Sequence, residues 1–178
     1  MTGAAEQPRT RPVVNIADLD MKASRRGSRF ASRAGRLGAA TGMKDLGAQY
    51  IVVPPGKAAY PFHSHRTNEE MFIILEGEGT YRHGAERWAV RAGDVLSAVA
   101  GDASSAHQLI NTGAADLRYF AISTRRDPDI CEYPDSGKFM VASTIPSGGG
   151  MASAEFVLLG RDRPLLDYWD GEDIGEDR

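Results

Sequence analysis

Between residues 46 and 124 the chain is divided into short runs rich in β-branched and aromatic residues, each ended by Gly, Pro, Asn or Asp. The runs are 46–53 (LGAQYIVV), 71–75 (MFIIL), 79–83 (GTYRH), 86–91 (ERWAVR), 94–99 (DVLSAV), 106–111 (AHQLIN) and 117–124 (LRYFAIST). No long helical pattern competes with them, so they predict an all-β sandwich or barrel. The separators have the chemistry of turns. Pro54, Pro55 and Gly56 stop the first run, Gly77 and Gly79 permit a tight reversal, and Gly93–Asp94 and Thr112–Gly113 supply two more.

Around this block the chain is looser. Residues 1–32 are expected to form an N-terminal arm, 33–125 the barrel, and 126–178 a C-terminal extension with a Ser/Gly-rich piece at 147–153 and a strand-like run at 155–159. Phe156, Leu158, Leu165, Tyr168 and Trp169 make the extension too apolar for a free tail, so it is expected to pack on the barrel or on a neighbouring subunit.

With 178 residues, 42% hydrophobic and 25% charged, the chain falls among globular proteins with one main domain, away from disordered or membrane-spanning profiles. No signal-peptide core and no run of about 18 apolar residues is present, which leads to the expectation of a cytoplasmic protein with no membrane partner. Cys131 is the sole cysteine, so no internal disulfide forms, and it reads as an inert thiol. Residues 1–44 hold nine Lys/Arg against three acids, while residues 127–178 hold twelve acids against four bases. Arg25, Arg26, Arg29, Arg33 and Arg36 lack aromatic interleaving and any nucleic-acid motif, so nucleic acid is disfavoured as a partner. A solvated face, or a contact with the acidic end or a second subunit, fits them better.

Residues 61–70 read PFHSHRTNEE. In an extended strand His63 and His65 share one face with Ser64 on the other. Glu70 opens the next run and shares its parity with Phe72 and Ile74, toward a barrel interior, where a carboxylate is costly unless paired or bound to a cation. His107, followed by Asn111, sits on a separate strand that the fold can bring alongside. Three imidazoles and one carboxylate suit a divalent transition metal (Fe, Mn, Ni, Zn or Cu) and leave open coordination positions. On spacing alone a structural histidine pair and a solvated Glu69–Glu70 turn fit as well. His83 stands apart and reads as surface or pocket wall.

The stretch from Gly56 through His63, His65 and Glu70 to Gly77 resembles the first signature of the cupin superfamily, and that from Gly93 through His107 to Asn111 resembles the second. The resemblance covers residues 56–111 and implies a cupin-type jelly roll, a double-stranded β-helix barrel, of the small single-domain bacterial type, with His63, His65, Glu70 and His107 as metal ligands. Three departures stand out: six residues between Gly56 and His63 instead of five, Val99-Ala100-Gly101 in place of Pro-x-Gly, and five residues between Gly101 and His107 instead of two.

The superfamily's activities are diverse, so fold does not set function. The leading expectation is a metal-dependent enzyme, an isomerase, dioxygenase or lyase, acting on a small polar metabolite such as a sugar derivative, a keto or hydroxy acid or an aromatic acid. The alternative is a non-catalytic module that senses a metabolite or metal. Gln49, Tyr60, Tyr81, His83 and Tyr119 are the neighbouring polar groups, with no catalytic role assigned. Exposed strand edges lead to the expectation of a homodimer.

Overall fold

The computed structural model describes residues 11–146, 149–161, 166–173 and 175. Its strands are β1 (Lys22–Arg26), β2 (Phe30–Arg36), β3 (Leu46–Val53), β4 (Ser64–His65), β5 (Glu70–Glu76), β6 (Glu78–His83), β7 (Glu86–Arg91), β8 (Val95–Ala98), β9 (His107–Ile110), β10 (Leu117–Thr124), β11 (Asp129–Tyr133), β12 (Lys138–Ser143) and β13 (Phe156–Arg161). A short helix, α1 (Leu37–Thr41), follows β2. The strands form a six-stranded sheet in the order β1-β2-β3-β10-β5-β8, a three-stranded sheet β7-β6-β9 and a four-stranded sheet β13-β12-β11-β4. The result is an all-β jelly roll.

Alternation of side chains builds the core. Ile51 and Val53 of β3, Phe72 and Ile74 of β5, Leu117 and Tyr119 of β10, Tyr81 of β6, Val90 of β7 and Leu109 of β9 are all buried in one cluster that joins the six-stranded to the three-stranded sheet. Each such side chain removed from water is worth about 1.5–3 kcal/mol relative to exposure. Close backbone approach explains one glycine: Gly77 has φ of +83°, and a Cβ there would stand 2.5 Å from the Asp116 carbonyl oxygen.

Flanking segments take a larger part than expected. The anticipated arm–barrel boundary at 32/33 falls inside β2, which pairs with β3, and β1 completes the hairpin at the sheet edge. The extension supplies β11, which pairs with β4 through Cys131↔His65 and Glu132↔Ser64, so it packs on the barrel at the histidine pair. Among the described residues, the apolar side chains further along stay open to solvent: Phe156, Leu158, Tyr168 and Trp169 are all exposed. Leu165 and the first ten residues of the arm lie outside the described residues.

Candidate metal centre

His63 and His65 flank Ser64 on a strand of only two residues, held on both sides. The backbone groups of His63 and His107 exchange hydrogen bonds, 3.1 Å from His63 N to His107 O and 2.7 Å from His107 N to His63 O. The enlarged loop before His107 therefore does not displace it. Its residues fold into a 3-10 turn at Ala103–Ser105, and Gly101 N donates to His65 O at 2.8 Å.

The four side chains converge. The Nε2 atoms of His107, His65 and His63 lie 2.7, 3.7 and 3.8 Å from the same oxygen, Oε2 of Glu70. Neighbouring Glu69 is exposed, as strand parity requires. The outer nitrogens of two rings are tied back: His63 Nδ1 is 2.9 Å from the Pro61 carbonyl oxygen, and His65 Nδ1 is 2.6 Å from Asp129 Oδ2. Such contacts hold a proton on Nδ1 and turn Nε2 toward the centre, the orientation a metal ligand needs. His107 Nδ1 is buried without a hydrogen-bond partner.

Burial acts to raise the pKa of Glu70, but the hydrogen bond from His107 and the nearby His65 and His63 outweigh it and hold the carboxyl at about 2. Burial, reinforced by His107, pushes His63 down to about 4, so it is neutral. His65 goes the other way. Burial opposes its charge, yet the Asp129 hydrogen bond, Cys131 and Glu70 push it up to about 11. The centre thus contains a carboxylate, a neutral imidazole and an imidazolium whose Nε2 proton faces the others. That is a donor set of the kind divalent transition ions take, with the His65 proton at a donor position for an ion to replace.

Two residues of this neighbourhood were not anticipated. Asp129 is 1% exposed, and its second oxygen accepts from Thr67 Oγ1 at 2.8 Å and from the Ile130 amide at 2.9 Å. Cys131 is buried as a crevice thiol should be, but its Sγ sits 3.5 Å from His65 Nδ1. Donor atoms of His63, Glu70 and His107 lie within 4.8 Å of one another, and so do those of His63, His65 and Cys131. The alternation Asp129, Cys131, Tyr133 places all three on one face of β11, and the ring of Tyr133 stacks on His63 at 6.1 Å.

The remaining polar neighbours divide. Tyr60 donates to Gln49 Oε1 at 3.3 Å, and its pKa is raised by desolvation and by the charge of Glu70. Tyr81 is spent on the Ser97 carbonyl at 2.9 Å, Tyr119 is buried in the apolar core, and His83 lies outside the convergence on Glu70. Asn111 is structural: its amide donates to the carbonyls of Val53 and Ala115, each at 2.8 Å, and its oxygen accepts from Gly113 N at 2.9 Å. A cavity of about 370 Å³ opens onto His65, Glu70 and Asp129 from the side of α1 and the loop around Gly149–Met151.

A jelly roll with paired histidines at the start of β4, a glutamate on β5 and a third histidine on β9 has a clear counterpart, since residues 49–123 match the family described as cupin domain. The chain carries a cupin domain. An oxalate-binding protein of Thermotoga maritima is 33% identical over 70 residues, 39% of this chain and 54% of that protein, so the chain spans about half the length of this curated relative. Among solved structures, a cupin-superfamily sugar phosphate isomerase from Silicibacter pomeroyi superposes with a TM-score of 0.70 at 20% identity, covering 87% of this chain and 97% of the other. A Thermotoga maritima protein predicted to be an oxalate decarboxylase gives 0.56 at 25% identity, covering 64% and 99%. Agreement at such identities fixes the fold of the cupin domain and leaves its chemistry to the site itself.

Proposed function

We propose that this cupin domain is a metal-dependent enzyme acting on a small polar metabolite, with His63, His65, Glu70 and His107 as the residues that hold a divalent transition ion. The observation that carries this reading is the meeting of three imidazole Nε2 atoms at Glu70 Oε2, all within 3.8 Å, with two of the rings oriented from behind by Pro61 and Asp129. When bound, such an ion acts as a Lewis acid toward a carbonyl or hydroxyl oxygen.

The chain's own groups do the rest. His63, neutral and stacked on Tyr133, keeps its donor pair free at neutral pH. Tyr60, with its pKa raised by burial and by the charge of Glu70, keeps its proton at Oη, which donates to Gln49 Oε1 at 3.3 Å. Phe72 packs against His107 with ring centroids 5.5 Å apart and closes the apolar side of the site to water. A substrate with two adjacent oxygens, as in a hydroxy or keto acid or a sugar derivative, matches this arrangement. Elemental analysis after purification, together with turnover of such compounds by the metal-loaded protein and its loss in His107→Ala, tests the reading. A His107→Ala protein with full metal content and full turnover overturns it.

One observation favours a second reading, binding without turnover: the curated relative is described as oxalate-binding. Tight binding of a dicarboxylate with no product formed decides for it. For the assembly we propose a homodimer formed through β13, whose Phe156, Val157, Leu158 and Leu159 are 41–57% exposed at the free edge of the four-stranded sheet. Light scattering that gives a monomer at micromolar concentration rules this assembly out.

A further inference from the structure

Four cations line the cavity. Arg36 from the end of β2, Lys44 from the turn after α1, and Arg125 and Arg126 from the segment after β10 line it together with His65 and Glu70. The acidic lining groups offset this charge only in part. Asp129 and Glu70 are bound to histidines, which leaves Asp127, close enough to Arg125 to feel its charge and accepting from the amides of Thr144 and Ile145 at 3.0 and 2.8 Å, against four cations.

Arg125 is also held in place. Arg125 Nη1 and Nη2 donate to the carbonyls of Gly149 and Pro146, both at 2.9 Å, and a Cβ on Gly150 would come within 3.3 Å of an Arg36 Nη. Fixed guanidinium groups recognise the planes of oxyanions, and several cations around one cavity favour a doubly charged group over a singly charged one.

We infer that the cavity takes a phosphorylated metabolite, its phosphate held by Arg36, Lys44, Arg125 and Arg126 and its oxygen-bearing end directed at His63, His65, Glu70 and His107. This rests on the reading of the histidine cluster as the substrate end of the site. A volume of about 370 Å³ is in the range of small-molecule pockets and admits a sugar-sized ester.

The test compares glycerol 3-phosphate, glycerol, inorganic phosphate and oxalate as ligands of the metal-loaded full chain by calorimetry. The expected order has glycerol 3-phosphate and inorganic phosphate bound, glycerol weaker than its phosphate ester by about a hundredfold or more, and oxalate insensitive to the cationic wall. Lys44→Ala, an exposed position, and Arg125→Lys, which keeps the charge but not the fork, should each weaken glycerol 3-phosphate by about tenfold while metal affinity stays unchanged. Phosphate bound on the metal alone would be indifferent to both substitutions and would overturn the subsite, as would equal binding of glycerol and its phosphate. A protein that takes up no metal yet binds the ester in a Lys44-dependent way keeps the phosphate subsite and removes the metal reading.

Discussion

Replacing Asp129 by Asn should change how metal affinity depends on pH more than it changes affinity at any one pH. The Asn oxygen can still accept from His65 Nδ1, so the ring keeps its orientation, but the negative charge 2.6 Å from it is gone. In the native chain that charge, against the cost of burial, keeps His65 protonated far above imidazole's ordinary range. An ion binding at Nε2 must displace this proton, whereas His63, at about 4, and Glu70, at about 2, are already deprotonated. Affinity of the native protein should therefore rise about tenfold per pH unit, or 1.36 kcal/mol, and about a hundredfold between pH 6.5 and 8.5. In Asp129→Asn, His65 falls toward the ordinary imidazole value of about 6.5, and the slope should flatten above pH 7. Chelator competition with Co²⁺ across this range measures the slopes, and calorimetry in buffers of different ionisation enthalpy counts the proton released. Parallel slopes for the two proteins, or equal proton release near pH 8, would refute the assignment of the displaced proton to His65.

Three other outcomes follow from the packing and charge. Asn111→Ala strands the Val53 and Ala115 carbonyls and the Gly113 amide, so it should cost about 2–4 kcal/mol in urea unfolding without altering metal content, and a loss below about 1 kcal/mol contradicts its structural role. Gly77→Ala forces a side chain onto a left-handed backbone and against the Asp116 carbonyl, and should lower stability by about 2 kcal/mol or more; a neutral effect on the melting temperature would show that the turn can relax. Stability of the metal-free protein should be greatest near pH 6.5. Below it, the unfolded chain takes up protons that His63 (about 4), and then Glu70 and Asp129 (both about 2), refuse in the folded state, so stability falls with pH. Above it, His65 holds in the folded state a proton the unfolded chain has lost, so stability falls as pH rises toward about 11; urea midpoints across pH 4–9 with no maximum would contradict this.

How far the sequence discloses this structure depends on where each strand finds its partner. LGAQYIVV, ERWAVR and LRYFAIST occupy β3, β7 and β10 to the residue, because β-branched and aromatic side chains in alternation describe a half-buried surface regardless of neighbours. KASRR and FASRAGR carry almost none of those residues. Their strands, β1 and β2, exist because β2 finds an open edge on β3 and β1 folds back on β2, a tertiary fact no local pattern states. β11 and β12 likewise depend on distant pairing, β11 reaching back to β4 and β12 pairing with β11. The convergence of His63, His65, Glu70 and His107 follows from parity plus one long-range pairing, and was legible in the spacing once the two signatures were taken together. Asp129 was not, since nothing in DPDICEY marks which residue of β4 its face will meet; only the alternation of Asp129, Cys131 and Tyr133 hints that one side of that strand is chemically loaded.

That placement of Asp129 bears on what the cupin domain is by itself. The segment that matches the family ends at residue 123, yet the carboxylate that orients and charges His65 comes from β11, which begins at Asp129. The sulfur beside the same ring, the aromatic face stacked on His63 and the carbonyls that anchor Arg125 also lie beyond residue 123. The histidines and Glu70 supply a donor set that many jelly rolls could share. In this chain the C-terminal segment contributes the surround: it sets the proton state of one donor, lines one side of the cavity and positions a cation within it. Differences in chemistry among proteins built on this barrel can therefore arise without any change in the ligating residues, through the strand laid against the histidine pair.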